Sequence, residues 1–240
     1  MKRATAILVA FFFLRISAHG DSFASGNEAY ASGKPADAIQ RWEDLVAKKQ
    51  YSEPLFFNLG NAYFKDGKTG AAILNYERAL WMKPSDPDAK ANLKYVRSTA
   101  GLFEPTREWW QVVPQWASLE FWGVLACVAW FGFSCSLILF WWKPKAGLRA
   151  VIAVFAVLLP ISAAAAIIRL PDMKRAVVQI TDAPLRVAPL EKSPVTVTLK
   201  AGDIVRIENK RESFIYVETE DGKTGWAITG AEIAPVIPDF

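Results

Sequence analysis

The side chains that most often carry chemistry are scarce in this chain of 240 residues. Its single histidine, His19, stands near the amino terminus, and its two cysteines, Cys127 and Cys135, share one long uncharged run. On a helix those cysteines are separated by about 12 Å of rise, too far to bridge, so both read as small apolar side chains. Segments without His or Cys offer no thiolate or imidazole zinc site and no Ser-His or Cys-His triad. A glycine-rich phosphate loop of the Walker or Rossmann kind is missing too. The carboxylates are scattered, and a pair assembled by the fold, as in a membrane-bound hydrolase, is the remaining catalytic alternative. The expectation is a non-enzyme that needs no metal and no cofactor, in which the work is binding.

Binding residues emerge from an internal repeat. Setting Gly60-Asn61 beneath Gly26-Asn27 gives an offset of 34 residues. At that offset Gly67-Lys68 falls under Gly33-Lys34, Ala72-Ile73 under Ala38-Ile39, Tyr76 under Trp42 and Glu77 under Glu43. The second copy, Glu53 to Asp86, resembles the tetratricopeptide pattern: Phe56, Leu59, Gly60 and Tyr63 on a first helix, Ala72, Tyr76 and Ala79 on a second, and Pro84 at its close. Small residues let two antiparallel helices approach, and Gly67 makes the turn. The first copy is looser, with Ala29 in place of Tyr63 and Gln50 in place of Pro84, and Asp88 to Arg97 supplies a capping helix. The resemblance implies a groove on the inner face of each first helix. It is lined by Phe23, Asn27 and Tyr30 from the first copy and by Phe57, Asn61, Phe64 and Lys65 from the second. There Asn27 and Asn61 either hydrogen-bond an extended peptide or cap and solvate their helices. So short an array is expected to be marginally stable, or stabilised by a partner.

The elements that position this groove are read from charge and hydropathy. Residues 1–20 read as a signal peptide: Lys2-Arg3, an apolar Ile7 to Leu14, then Ala18 and Gly20 before Asp21. Repeats occupy 21–100, and an aromatic linker, 101–118, carries Trp109, Trp110 and Trp116. Transmembrane helices are expected over 119–142 and 150–168, the second kinked at Pro160, with a basic loop 143–149 holding Lys143, Lys145 and Arg149. The formal net charge of +4 sits in that loop and at the amino terminus. The soluble parts are balanced, which argues against nucleic acid as a partner. Positive loops stay in the cytoplasm, so both soluble units face the extracytoplasmic side of a bacterial inner membrane.

From Ala176 the chain turns to short β-rich runs: Val177 to Ile180, Val195 to Leu199, Ile204 to Glu208, Phe214 to Glu218 and Thr224 to Ile228. Asp221-Gly222 marks a hairpin between the last two. Leu185-Arg186 with Pro189, Leu199 to Asp203, Phe214 to Val217 and Asp221 to Trp226 resemble bacterial SH3-like domains, so 172–240 is expected to be a small all-β barrel. In it Trp226 would cover one end, and Arg186 and Trp226 are either structural or ligand contacts.

The order of parts makes this a multidomain chain: an α-helical tetratricopeptide solenoid, a two-helix transmembrane hairpin and a small all-β SH3-like barrel. That order resembles the BatE-type proteins of bacterial aerotolerance operons, as do Asn58 to Tyr63, Ala72 to Leu80 and Asn92-Leu93. The resemblance implies a non-catalytic inner-membrane scaffold beside membrane proteins with von Willebrand type A domains and a MoxR-type ATPase, in envelope stress tolerance. Attachment to peptidoglycan through the SH3-like domain is the alternative.

Overall fold

The chain, a computed structural model, is described over residues 22–102 and 109–238; the expected signal segment lies outside the described residues. The repeat becomes two helix pairs and a further helix. α1 (22–31) pairs with α2 (Pro35–Ala47), α3 (Glu53–Lys65) pairs with α4 (Thr69–Met82), and α5 (Pro87–Thr99) follows. Equivalent residues do equivalent work. A β-carbon on Gly26 would lie 2.2 Å from the Trp42 indole nitrogen, and one on Gly60 2.7 Å from the Tyr76 ring. In each pair the missing side chain therefore lets an aromatic ring of the second helix lie on the backbone of the first. Gly33 and Gly67 take φ of 75° and 77° in the two turns, a conformation that costs other residues a Cβ clash. Ser52 caps α3 by accepting from Leu55 N, and Asp86 caps α5 by accepting from Asp88 N and Ala89 N.

α4 has almost no face left for solvent. Ala72, Ile73, Leu74, Tyr76 and Ala79 are buried, and so are Asn75 and Glu77. Part of this helix packs on its repeat neighbours, and part is covered by the carboxy-terminal sheet: Ile73 and Leu74 share one apolar cluster with Val177, Ala234 and Val236. Full burial of side chains of this size stabilises by about 1.5–3 kcal/mol each. At Gly70 a β-carbon would stand 2.5 Å from the Val178 carbonyl oxygen and 2.6 Å from that of Gln179. Glu77 meets Arg175 at 2.9 Å, and Arg78 donates to the Pro235 and Val236 carbonyls at 3.2 Å. Burial opposes the charge on Arg175, but Glu77 and Asp172 outweigh it and hold the guanidinium pKa above its usual value. The stabilising partner of the short helical array is thus the chain's own sheet, through residues 98 to 158 positions apart.

Between these units, α6 (Trp109–Val112) and a 3₁₀ turn (Val113–Trp116) lead into α7 (Leu119–Trp142), which folds back as α8 (Ala146–Arg169). Both are long and apolar enough to cross a membrane. Their seam is made of small side chains: Ala129, Ser136, Ser162 and Ala165 are buried, and Gly132 leaves room for the Phe155 ring. The outer faces stay apolar and uncovered, with Phe131 71% exposed. Trp122 is buried instead, donating from its indole to the Pro114 carbonyl at 2.8 Å. α8 starts four residues before the expected 150, because that expectation followed the uncharged run and a charge such as Arg149 does not stop a helix, and it runs unbroken through Pro160.

α8 passes through a 3₁₀ turn (Leu170–Lys174) straight into β1 (Arg175–Val178). β2 (Ala183–Arg186), β3 (Val195–Leu199), β4 (Ile204–Arg211), β5 (Phe214–Thr219), β6 (Thr224–Ile228) and β7 (Ile233–Pro235) complete one antiparallel sheet, ordered β3-β2-β6-β5-β4-β1-β7. Its core holds Val178, Leu185, Val205, Ile215, Val217 and Ile233. β2 and β7 are absent from the expected strands, since each is short and carries a proline (Pro184, Pro235). The Asp221-Gly222 turn joins β5 to β6, with Gly222 at φ 79°.

Gly70→Val should force β1 away from α4, at about 1–3 kcal/mol, and speed amide hydrogen exchange at residues 175–178. Gly67→Ala, whose β-carbon would meet nothing within 4 Å, should cost about 1–2 kcal/mol of left-handed strain and leave exchange in β1 unchanged. Unaltered β1 exchange in Gly70→Val would contradict the close approach.

Candidate functional site

The face opposite the sheet is built from the first helices, α1, α3 and α5. Asn58 Nδ2 donates to Asn27 Oδ1 at 3.0 Å, and Asn92 Nδ2 donates to Asn61 Oδ1 at 3.0 Å. Donors and acceptors are each one repeat apart, so the same bond occurs twice and ties three successive first helices side by side. Asn61 Oδ1 also accepts from the Tyr76 hydroxyl at 2.7 Å, which joins the second helix to the same ladder.

Around this ladder the other groove residues divide into two kinds. Phe23 and Tyr30 lean on Trp42, with ring centroids 6.3 and 6.1 Å away, and Phe57 meets Tyr76 edge-on at 6.1 Å. All three are half-buried and belong partly to the core. Lys65 is exposed with its ammonium 5.1 Å from the centre of the Tyr30 ring, and Phe64 lies edge-on to Tyr95, itself 61% exposed. The open face therefore presents Asn27, Lys65, Phe64 and Tyr95: an amide, an ammonium and two aromatic edges, groups that can bind a polypeptide backbone and its side chains. Asn58 and Tyr95 were missed in the sequence. The signal for Asn58 was the same 34-residue offset, which pairs it with Asn92 as Asn27 pairs with Asn61.

Two phenols beside this face are held neutral. Burial pushes the Tyr63 pKa well up, and the charge of Glu43, which accepts its hydroxyl at 2.8 Å, adds to the effect. Burial does the same for Tyr76. Both groups bind their protons more tightly in the folded chain than in the unfolded one.

In the sheet domain Arg186 is buried in a two-pronged pair, its Nη1 and Nη2 each 2.8 Å from Glu232. Glu232 also accepts from Ile228 N at 2.8 Å, so the pair fastens β2 to the segment after β6. Trp226 does not cover the end of the core. Gly225 and Ala227 point inward, because a β-carbon on Gly225 would come 2.7 Å from Leu185 Cβ and Ala227 is fully buried. Strand alternation then turns Trp226 outward, where it pairs with Tyr216 at 5.2 Å between centroids. Residues Arg186, Trp226 and Tyr216 lie in register across β2, β6 and β5.

A cavity of about 490 Å³ lies where the helical unit, the sheet and the membrane-type hairpin meet, and a second of about 480 Å³ lies between the sheet and the ends of the hairpin, with Arg175 and Asp172 shared between their walls.

Residues 179–231 match the family model described as bacterial SH3 domain. No curated protein matches the chain. Among solved structures it is similar to the crystal structure of PcrH from Pseudomonas aeruginosa at 15% identity and a TM-score of 0.35, over 61% of this chain and 92% of that one. That likeness is too distant to assign an architecture.

The two phenols set an alkaline limit. Their folded pKa values lie above the unfolded value near 10, so their contribution is intact below about pH 10 and is lost as pH rises through the folded values. Unfolding of the helical unit, followed by circular dichroism against pH, is expected to begin above about pH 10. Tyr63→Phe together with Tyr76→Phe should move that onset upward, whereas an unmoved onset would show that other groups set it.

Proposed function

We propose that this protein is a non-catalytic scaffold, anchored in a membrane by α7 and α8, whose helix pairs act as tetratricopeptide units that hold a protein partner. The observation that carries this reading is an asymmetry. The outer side of α4 is closed by the sheet domain, while the face made by α1, α3 and α5 is left open with Asn27, Lys65 and Tyr95 exposed. A helical array stabilised from behind by its own chain keeps its front free for another one.

The membrane anchor is supported by surfaces that water does not tolerate. A core helix of a soluble protein is mostly buried, whereas the α7–α8 pair keeps Trp130, Phe131 and Ile138 uncovered. The turn at one end carries Lys143 and Lys145, and both folded units stand at the other, where Arg169 Nη1 reaches the Ala117 carbonyl. By the positive-inside tendency the turn is cytoplasmic and the folded units face the extracytoplasmic side of a bacterial inner membrane. The resemblance to BatE-type proteins supplies the partner class: membrane proteins with von Willebrand type A domains, in an envelope stress or aerotolerance complex.

A second reading, attachment to peptidoglycan, is favoured by the match of residues 179–231 to the bacterial SH3 domain model and by the outward Tyr216–Trp226 pair. Photo-crosslinking in intact cells separates the two. A crosslinker in place of Tyr95 should capture a von Willebrand type A membrane protein, and Lys65→Glu should reduce that yield, while one in place of Tyr216 should capture neither protein nor wall. Wall fragments captured from Tyr216, with nothing from Tyr95, would transfer the function to the sheet domain.

A further inference from the structure

We propose that the cavity of about 490 Å³ between α4, α5 and the outer end of the hairpin binds a phosphate ester anion, presented by the headgroup of an anionic glycerophospholipid. This rests on reading α7 and α8 as membrane spans. Three observations converge on it.

The first is charge. Among the described residues lining the cavity, five are cationic and two are carboxylates. Glu77 lies against Arg175 at 2.9 Å and Asp172 against Arg169 at 3.3 Å, so both carboxylates are already engaged. Lys90 and Lys94 remain, at i and i+4 along α5, and Arg97 at i+7 continues the stripe on the same helix face. Lys90 and Lys94 make no ion pair among the described residues, and both are exposed. Two like charges at that spacing destabilise a helix, a cost that an anion between them would reverse.

The second is position. The cavity wall includes Val112 and Gln115, just before α7, and Arg169, the last residue of α8. These mark the level at which the hairpin leaves the hydrocarbon, where lipid phosphates lie. The third is the remainder of the lining. Trp81, Leu80 and Leu93 give the cavity an apolar wall, with the Arg169 guanidinium 5.7 Å from the centre of the Trp81 ring. A cationic rim above an apolar wall suits an amphiphile with a negative head.

The test uses the full chain in nanodiscs of phosphatidylcholine containing a minor share of phosphatidylglycerol, with retained lipids counted by native mass spectrometry. Phosphatidylglycerol should be retained above its bulk share, and Lys90→Gln and Lys94→Gln should each lower that retention roughly fivefold. Both lysines are exposed, so the variants should keep the parent circular dichroism. Lys143→Gln with Lys145→Gln, at the opposite end of the hairpin, should leave intact the share of retention that Lys90→Gln removes. Retention no greater than the bulk share, in a chain that has entered the nanodisc, would overturn the lipid site and leave the anchor intact. A chain that does not enter the nanodisc would overturn the anchor and the lipid site together. Binding of glycerol phosphate without lipid enrichment would assign the cavity to a soluble phosphate ester and overturn the lipid source.

Discussion

Strand β1 can reach helix α4 because no side chain stands at Gly70, where two backbone carbonyls approach a β-carbon position to within 2.6 Å. Backbone-to-backbone packing of this kind tolerates no adjustment, since neither partner has a rotamer to change. With the approach made, Ile73 and Leu74 complete a cluster with Val177, Ala234 and Val236, Glu77 reaches Arg175, and Arg78 reaches the last strand. With the approach blocked, α4 would expose an apolar face, and two helix pairs with one extra helix would have too little buried surface to hold themselves together. The open front of the helical unit, the cavity beneath it and the placement of the sheet all follow from that one contact.

The residues that repeat were the legible part of the fold. Gly26 and Gly60, Trp42 and Tyr76, and Gly33 and Gly67 announce their roles by their spacing, because each does the same local work twice. Longer strands rich in Val, Ile and Thr were legible for a similar reason, as their alternation is local. The contact between the units was not. Gly70 in the sequence is one more small residue at the start of a helix, and nothing local links it to a carbonyl more than a hundred positions later. Of the groove, the asparagine positions could be read but their partners could not. A side-chain amide on an exposed helix face satisfies either a ligand or its neighbour, and only the distance between α1 and α3 decides that Asn27 is met by Asn58. Arg186 and Trp226 show the same limit, because a shared motif leaves open which side of a strand faces the core.

The hairpin obeys a different rule from the folded units on either side of it. Its two helices meet mainly through glycine, alanine and serine and keep most of their large side chains for the outside, whereas α1 to α5 turn theirs inward. The serines are consistent with this: Ser136 and Ser162 turn their hydroxyls back onto carbonyls of their own helices and present little polarity to the surroundings. Polar partners return where the hairpin meets the folded units, with Arg169 joined to Asp172 and to the Ala117 carbonyl and Trp122 to the Pro114 carbonyl.

The long sequence separation between α4 and its cover has a consequence in time. During synthesis α4 emerges early, while Val177, Ala234 and Val236 follow only after both hairpin helices have been made. Until then the helical unit must wait with its outer side bare, in the company of whatever protects nascent chains. Closure of that side comes when the final strand arrives and Arg78 finds the carbonyls of Pro235 and Val236. The back of the helical unit thus matures last, and a partner that needs the array braced from behind would meet only chains whose translation has run through the final strand.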